Sequence, residues 1–296
     1  MRRQRYGTAL MFLPTLIIIG PLFGGSLVYG LLQSLGWQPI IGDTVLSLKA
    51  YKNILFGSDY APRFWEALGY SLRVSLLSTA LSALLAIVVA LLVRKSTFGT
   101  GVSTFLLQLS LPIPHLVAAV GVLFLFSQSG LVSRAARLIG LIAQPSDFPV
   151  MIRDRTGIGV VIAYLWKEVP FMSLVVLAAL RSAGSDYEDS ARTLGASPWQ
   201  RFRYIILPVI APPLAASSLL VFTYVFGAYE IPGILGVRNP QSLPVLSYLL
   251  FASPDLRDRV TAMALSLIMT TIVLVLIAVY MTITRRAGRL EEEHSS

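Results

Sequence analysis

The stretch Asp189-Ser190-Ala191-Arg192-Thr193-Leu194-Gly195, closed by Ile205-Ile206-Leu207-Pro208, is a polar segment set between two long apolar runs. Its local chemistry predicts two short helices joined by a turn. Asp186, Glu188 and Asp189 suit the positive end of a helix starting near Ser185. Gly195 permits a backbone reversal that a side chain resists. Ser197 and Pro198 restart a helix as N-cap and first helical residue. Trp199 and Phe202, three apart, share one face of it, while Arg201 and Arg203 lie on others. Such a pair of helices is a knob that a soluble partner can grip.

The runs on either side belong to a chain that is mostly apolar. Of 296 residues, 55% are hydrophobic and 13% charged, and the mean hydropathy is +0.72. Soluble domains carry about 25% charged residues, so the composition points to an integral membrane protein. There is no cysteine, which excludes disulfides and thiolate chemistry, and with only His115 and His294 no metal site is expected. The net charge of +9 sits mainly beside the apolar runs. There it anchors and orients helices, so nucleic acid is not an expected partner.

A membrane-crossing helix needs about 20 largely apolar residues. Six segments qualify: 7–32, bent by Pro14, Gly20 and Pro21; 68–93; 101–126, broken by Pro112 and Pro114; 157–180; 209–229, with Pro212 and Pro213 in its first turns; and 260–283. The fold class is therefore all-α and polytopic. The first run is long for a signal peptide and is read as an uncleaved span. Basic residues crowd the span ends at Arg2, Arg3 and Arg5, at Arg94 and Lys95, at Arg181 through Arg203, and at Arg285, Arg286 and Arg289. Their density places both termini and the 181–208 loop in the cytoplasm. Outside, 36–67, 127–156 and 231–259 are long enough to fold, with a short apolar helix expected over 243–251. The acidic tail 291–296 is expected to lack structure.

The knob resembles the cytoplasmic loop of the permease subunits of bacterial binding-protein-dependent ABC importers. Their pattern is Glu-Ala-Ala, three residues, Gly, nine residues, then Ile-x-Leu-Pro. Gly195, Ile205, Leu207 and Pro208 match the spacing, while Asp189 replaces the Glu and Ser190 the first Ala. Glu188 is placed to share the acidic role. Tyr70-Ser71-Leu72, Leu111-Pro112-Ile113-Pro114, Trp166-Lys167 and Pro170-Phe171 also look like the family, so the resemblance runs from Trp65 to the C-terminus. It implies a type I importer permease fold, with an N-terminal helix and outer loop over 1–67 and a five-span core over 68–296. It further implies a cytoplasmic ATPase dimer that binds ATP and Mg, a second permease subunit (a heterodimer favoured over a homodimer), an extracytoplasmic solute-binding protein and a bacterial inner-membrane location. On this reading the ATPase-coupling loop comprises Glu188, Asp189, Ser190, Ala191, Gly195, Ala196, Ser197, Ile205, Leu207 and Pro208. The chain has no phosphate-binding glycine loop and no catalytic constellation, so it binds no cofactor and is not itself an enzyme.

Charges inside spans are costly and face protein or a wet cavity. Lys167 and Glu168 are such a pair, and as sequence neighbours they point to different helix faces. Either they line the translocation pathway or they make internal polar contacts, and internal contact is the weightier reading. Tyr229 and Glu230 close the fifth span. Read as the end of that helix, Glu230 sits at an unfavourable pole and calls for compensation by Arg238 or a cationic solute. His115 either serves in a polar relay or, the weightier reading, satisfies carbonyls freed by the neighbouring prolines. The stretch around Glu230, with Gly236 and Leu243-Pro244, looks most like the polyamine, ferric-iron and phosphonate branch, with a sugar or glycerol-phosphate permease as the alternative. A channel or secondary transporter accounts equally for six spans and for Lys167 and Glu168, but not for the knob.

Overall fold

The computed structural model describes residues 2–94, 100–184 and 186–295, with side chains for 13–94, 101–184 and 186–282. Lys95 and Ser185 lie outside the described residues, and the side chains of Arg2, Arg3, Arg5, Arg285, Arg286 and Arg289 outside the described ones. Among the described residues the regular structure is helical, apart from one isolated bridge between Gln38 and Asp43. Six segments among the described residues are long and apolar enough to cross a membrane: Leu13–Ser34, Ala61–Arg94, His115–Leu138, Ile158–Ala183, Pro198–Gly227 and Asp258–Thr282. Large apolar side chains such as Leu16, Ile17, Phe23, Leu84 and Phe124 stand exposed along them, as lipid-facing helices require.

The chain divides into two compact units. One comprises residues 1–65 and 246–275. It holds α1 (Arg2–Ser34), α2 (Lys49–Phe56), the first turn of α3 (Ala61–Arg94), most of α12 (Leu243–Phe251) and the first half of α13 (Asp258–Ser295). Small hydroxyls replace bulk where its helices meet: Ser247 Oγ bonds to Ala262 O at 3.0 Å and to Ser266 Oγ at 2.9 Å. Tyr51 donates to Ser34 Oγ at 2.8 Å, and Gln38 Nε2 donates to Leu256 O at 3.0 Å. Tyr60 donates to Asp258 Oδ1 at 3.3 Å; burial first, and then the Asp258 carboxylate, raise its phenol above the ordinary value.

The other unit comprises residues 66–245 and 276–296. Its axis is α7 (Ile158–Ala183), on which α4 (Thr100–Gln108), α5 (His115–Phe126), α10 (Leu207–Gly227) and α11 (Glu230–Leu235) pack. With 26 residues α7 is about 39 Å long, enough to cross a ~30 Å hydrocarbon core. Fully buried Tyr164 and Met172 lie in the main core with Val160, Val221, Ile231 and Leu235. A second core at the other end of α7 joins Ala90, Val176, Leu177 and Leu180 to Ile206 and Ile210.

The third apolar stretch departs from a single rod. α5 alone, at 12 residues, is about 18 Å long, too short to cross. By length and hydropathy α5 and α6 (Leu131–Leu138) together suffice. However, α6 carries Arg134 and Arg137 and is set off by a bend over 127–130, so it is an amphipathic surface helix. The apolar partner of α5 is α4, across the link 109–114, because α4 and α5 both lie along α7. The remaining prolines do not break their helices: Pro170 lies inside α7, and Pro212 and Pro213 inside α10. The tail expected to be unstructured continues α13 to Ser295.

Candidate functional site

The knob is α8 (Asp186–Thr193) and α9 (Pro198–Arg201) with the turn between them. α8 ends in a Schellman turn: Ala196 N–H bonds to Ala191 O at 3.0 Å, and Gly195 N–H to Arg192 O at 3.1 Å. Gly195 sits at φ +81°, the left-handed conformation that closes this motif. Ser197 then caps α9 in a reciprocal box, its Oγ accepting from Gln200 N at 3.3 Å while Gln200 Oε1 accepts from Ser197 N at 2.7 Å. Pro198 occupies the first turn, and Trp199 stacks on Phe202 at 5.7 Å between centroids.

α9 does not stop at the membrane. It passes through a π-helical turn, Phe202–Ile206, directly into α10, so the knob's second arm and the fifth span form one helical segment, Pro198–Gly227. Ile206 enters the core beside Val176 and Leu177, whereas Ile205 and Leu207 are half-buried and Pro208 is exposed. Of the two acids, Glu188 is engaged. It pairs with Arg94, at the end of α3, at 2.7 Å and with Arg201 at 3.8 Å. Asp186, Asp189 and Ser190 are exposed, as are Tyr187, Leu194, Trp199 and Tyr204, while Ala191 and Ala196 are half-buried. A shallow cleft of about 400 Å³ runs between Leu194, Gly195, Gln200 and Tyr204. Exchanging the charges of Arg94 and Glu188 tests the pair. Arg94→Glu and Glu188→Arg are each expected to lower the melting temperature. The double exchange should recover most of the loss, with a coupling of about 1 kcal/mol as for a partly exposed pair.

Inside the span region, Lys167 and Glu168 are both buried, at 4% and 7% exposure. They do not pair with each other. Lys167 Nζ donates to Ser110 O at 2.7 Å, Ile113 O at 2.7 Å and Leu111 O at 3.3 Å. Glu168 Oε1 lies 3.3 Å from His115 Nε2, and the His115 ring packs on Tyr224 at 4.7 Å. It is therefore Lys167, reaching across from α7 into the link, that satisfies the carbonyls freed by the prolines, while the His115 ring is turned to Glu168 and Tyr224. The placing of Glu230 is also corrected. The fifth span ends at Gly227, Ala228 is extended, and Glu230 opens α11. At a helix N-terminus its charge is favoured, so neither Arg238 nor a cationic solute is needed to offset it. Tyr229 and Glu230 are both exposed.

The sequence signal that would have found the Lys167 contact was present. In a continuous helix Ser110 O would accept from residue 114, and residue 114 is a proline without an N–H. Among the described residues no group of three or more His, Cys, Asp or Glu is placed to hold a metal.

Six segments apolar and long enough to cross a membrane, with a polar helical hairpin between the fourth and the fifth, define a multi-pass membrane protein. The chain belongs to the family described as binding-protein-dependent transport system inner membrane component, whose profile matches residues 79–289; it is a permease subunit of an ABC importer. It is 24% identical over 288 residues to the inner membrane ABC transporter permease protein YdcU of Escherichia coli, covering 93% of this chain and 90% of that protein. It is 26% identical over 290 residues to the trehalose/maltose transport system permease protein MalF of Thermococcus litoralis, covering 93% and 92%. In fold it is similar to a chain of a bacterial ABC transporter involved in the import of the acidic polysaccharide alginate, with a TM-score of 0.76, 24% identity and 96% of each chain covered.

Proposed function

We propose that this chain is one of two permease subunits around a shared pathway and that the α8–α9 knob is its seat on a cytoplasmic ATPase dimer. The observation that carries this is the knob's surface. Leu194, Tyr187, Trp199 and Tyr204 are exposed on a polar hairpin at the junction of two spans, and exposed apolar groups clustered within a polar rim mark interfaces. Asp189, Ser190, Ala191 and Ala196 supply the face that meets the ATPase, and Glu188 holds that face to α3. ATP and Mg belong to the ATPase, and this chain carries no cofactor. ATP-driven closure of the ATPase dimer shifts the two-subunit bundle between inward-open and outward-open states, by the difference in binding free energy between them. Both termini are cytoplasmic, the membrane is the bacterial inner membrane, and an extracytoplasmic binding protein delivers the solute. The second permease is a related chain rather than an identical copy.

For the solute, a sugar or other hydroxylated compound has more support than a polyamine. Similar proteins whose solutes are named transport trehalose or maltose or import alginate, and others transport sulfate or molybdenum. The reading of Glu230 that favoured a cation also falls with its position at a helix N-terminus. Tyr229 and Glu230 stay candidates for the outer mouth of the pathway.

The test is purification from the native host in mild detergent, with mass spectrometry of what stays bound. An ATPase and a second six-span protein are expected. A homo-oligomer free of any ATPase would overturn the reading in favour of a channel or secondary transporter. Thermal shifts of the co-purified binding protein then decide the solute: a rise with sugars is expected, and a rise with polyamines alone would reverse that choice.

A further inference from the structure

Pro112 and Pro114 interrupt the third apolar stretch, and such a break is the natural place to look for a hinge. The contacts around it argue the opposite. Pro114 has no N–H, so Ser110 O loses its helical donor, and Ile113 O and Leu111 O are turned out of the ladder by the link 109–114. At membrane depth such carbonyls must find protein partners. The Lys167 ammonium has three N–H donors, and the three acceptors Ser110 O, Leu111 O and Ile113 O lie within 3.3 Å of it. One residue on, Glu168 holds His115, the first residue of α5. Two consecutive side chains of α7, pointing to different faces, thus grip the break on both sides. Lys167 holds the link that follows α4, and Glu168 the helix that begins after it.

Neither grip is easily released. Lys167 and Glu168 are each more than nine-tenths buried, and letting go would leave a charge in a low-dielectric interior without a partner. The two halves of the stretch also rest independently on α7, which is continuous through Pro170.

We propose that Lys167 and Glu168 are positioning residues that fasten α4, the 109–114 link and α5 to α7 as one body, so that the double-proline break is a fixed bend throughout the transport cycle. The body moves, and the bend does not. The part about the cycle rests on the ATPase-driven reading above; the part about fastening does not.

The chain has no cysteine, so spin labels can be placed without background changes. Leu106→Cys in α4 and Phe124→Cys in α5 lie on either side of the break, and both side chains are exposed. The distance between the labels is measured by pulsed electron resonance in lipid nanodiscs. For the unmodified background a single narrow distribution is expected. Lys167→Met, which keeps the stem but no donor, should broaden or shift it; Lys167→Arg, which keeps donors, should leave it narrow. Glu168→Gln, which keeps shape and a hydrogen-bonding group, provides a milder loosening should Lys167→Met fail to fold. If neither Lys167→Met nor Glu168→Gln changes the distribution, the fastening is wrong. In the assembled transporter the distance is expected to be the same without nucleotide and with ATP trapped. A change of about one helical turn, ~5 Å, between those states would overturn the fixed bend. Failure to assemble with any ATPase would count against the importer reading and leave the nanodisc arm to decide the fastening alone.

Discussion

Replacing Gly195 by valine is expected to cut transport on the order of tenfold or more while the protein still inserts and purifies. The cause is the backbone alone. Gly195 sits at φ +81°, and a Cβ built there meets nothing within 4 Å, so there is no clash to relieve. A left-handed conformation costs an ordinary residue roughly 1–2 kcal/mol, and a β-branched one suffers most. Because about 1.4 kcal/mol is a factor of ten, the equilibrium for forming the Schellman turn that angles α9 against α8 falls on the order of tenfold. Asparagine, which visits this conformation readily, should restore most of the activity. Uptake into proteoliposomes, together with ATPase co-purification, checks both variants. Equal uptake for valine and glycine would mean that the angle between the two arms is irrelevant to coupling.

Gly159→Ala is expected to destabilise the protein strongly. Here the space decides. A Cβ on Gly159 would stand 2.4 Å from Met151 O and 3.0 Å from Ile152 Cδ1. The nearest obstacle is main chain, and it is the same carbonyl that accepts the Gly159 N–H at 2.9 Å. Any shift that admits the methyl lengthens that bond and lifts the start of α7 away from the loop before it. A loss of about 3 kcal/mol is expected, at the upper end of overpacking costs. Gly121→Ala is the control, since nothing lies within 4 Å of its added methyl. In the interior of α5 it should be neutral or stabilise by up to about 1 kcal/mol through helix propensity. Melting of the purified proteins, followed by tryptophan fluorescence, separates the two; equal midpoints would refute the steric account.

The parts of the fold written in local sequence were readable, and the parts decided by distant partners were not. Gly195, Ser197 and Pro198 act through their own backbone and their nearest neighbours, so their turn and cap chemistry follows from residue type and spacing. Lengths of apolar run likewise set the crossings, because the bilayer core has a fixed thickness. Lys167 could be recognised as anomalous from sequence, but its partners lie more than fifty positions away across a packed interface. Glu230 was misread for a smaller reason. Whether a helix stops before or starts at a residue between Gly227 and Pro232 turns on the dihedral angles of Ala228 alone, and Pro232 is tolerated in a first turn as readily as after a last one. The amphipathic α6 beyond the third stretch lies within a segment legible only as long enough to fold, since eight residues are too few for a firm periodicity.

The π turn over Phe202–Ile206 sets the phase of the whole fifth helix. A turn that closes one residue late inserts an extra position into an otherwise regular spiral, and each position advances the side-chain direction by about 100°. Everything below it, including Trp199 and the capped turn at Ser197, is therefore aimed relative to Ile210 and Val221 by that single surplus residue. Loops usually absorb changes in length, but this one is a ratchet with numbered teeth. A one-residue deletion anywhere in Phe202–Ile206 would leave composition, hydropathy and helix content almost untouched, and would turn the knob by about 100° around the helix axis.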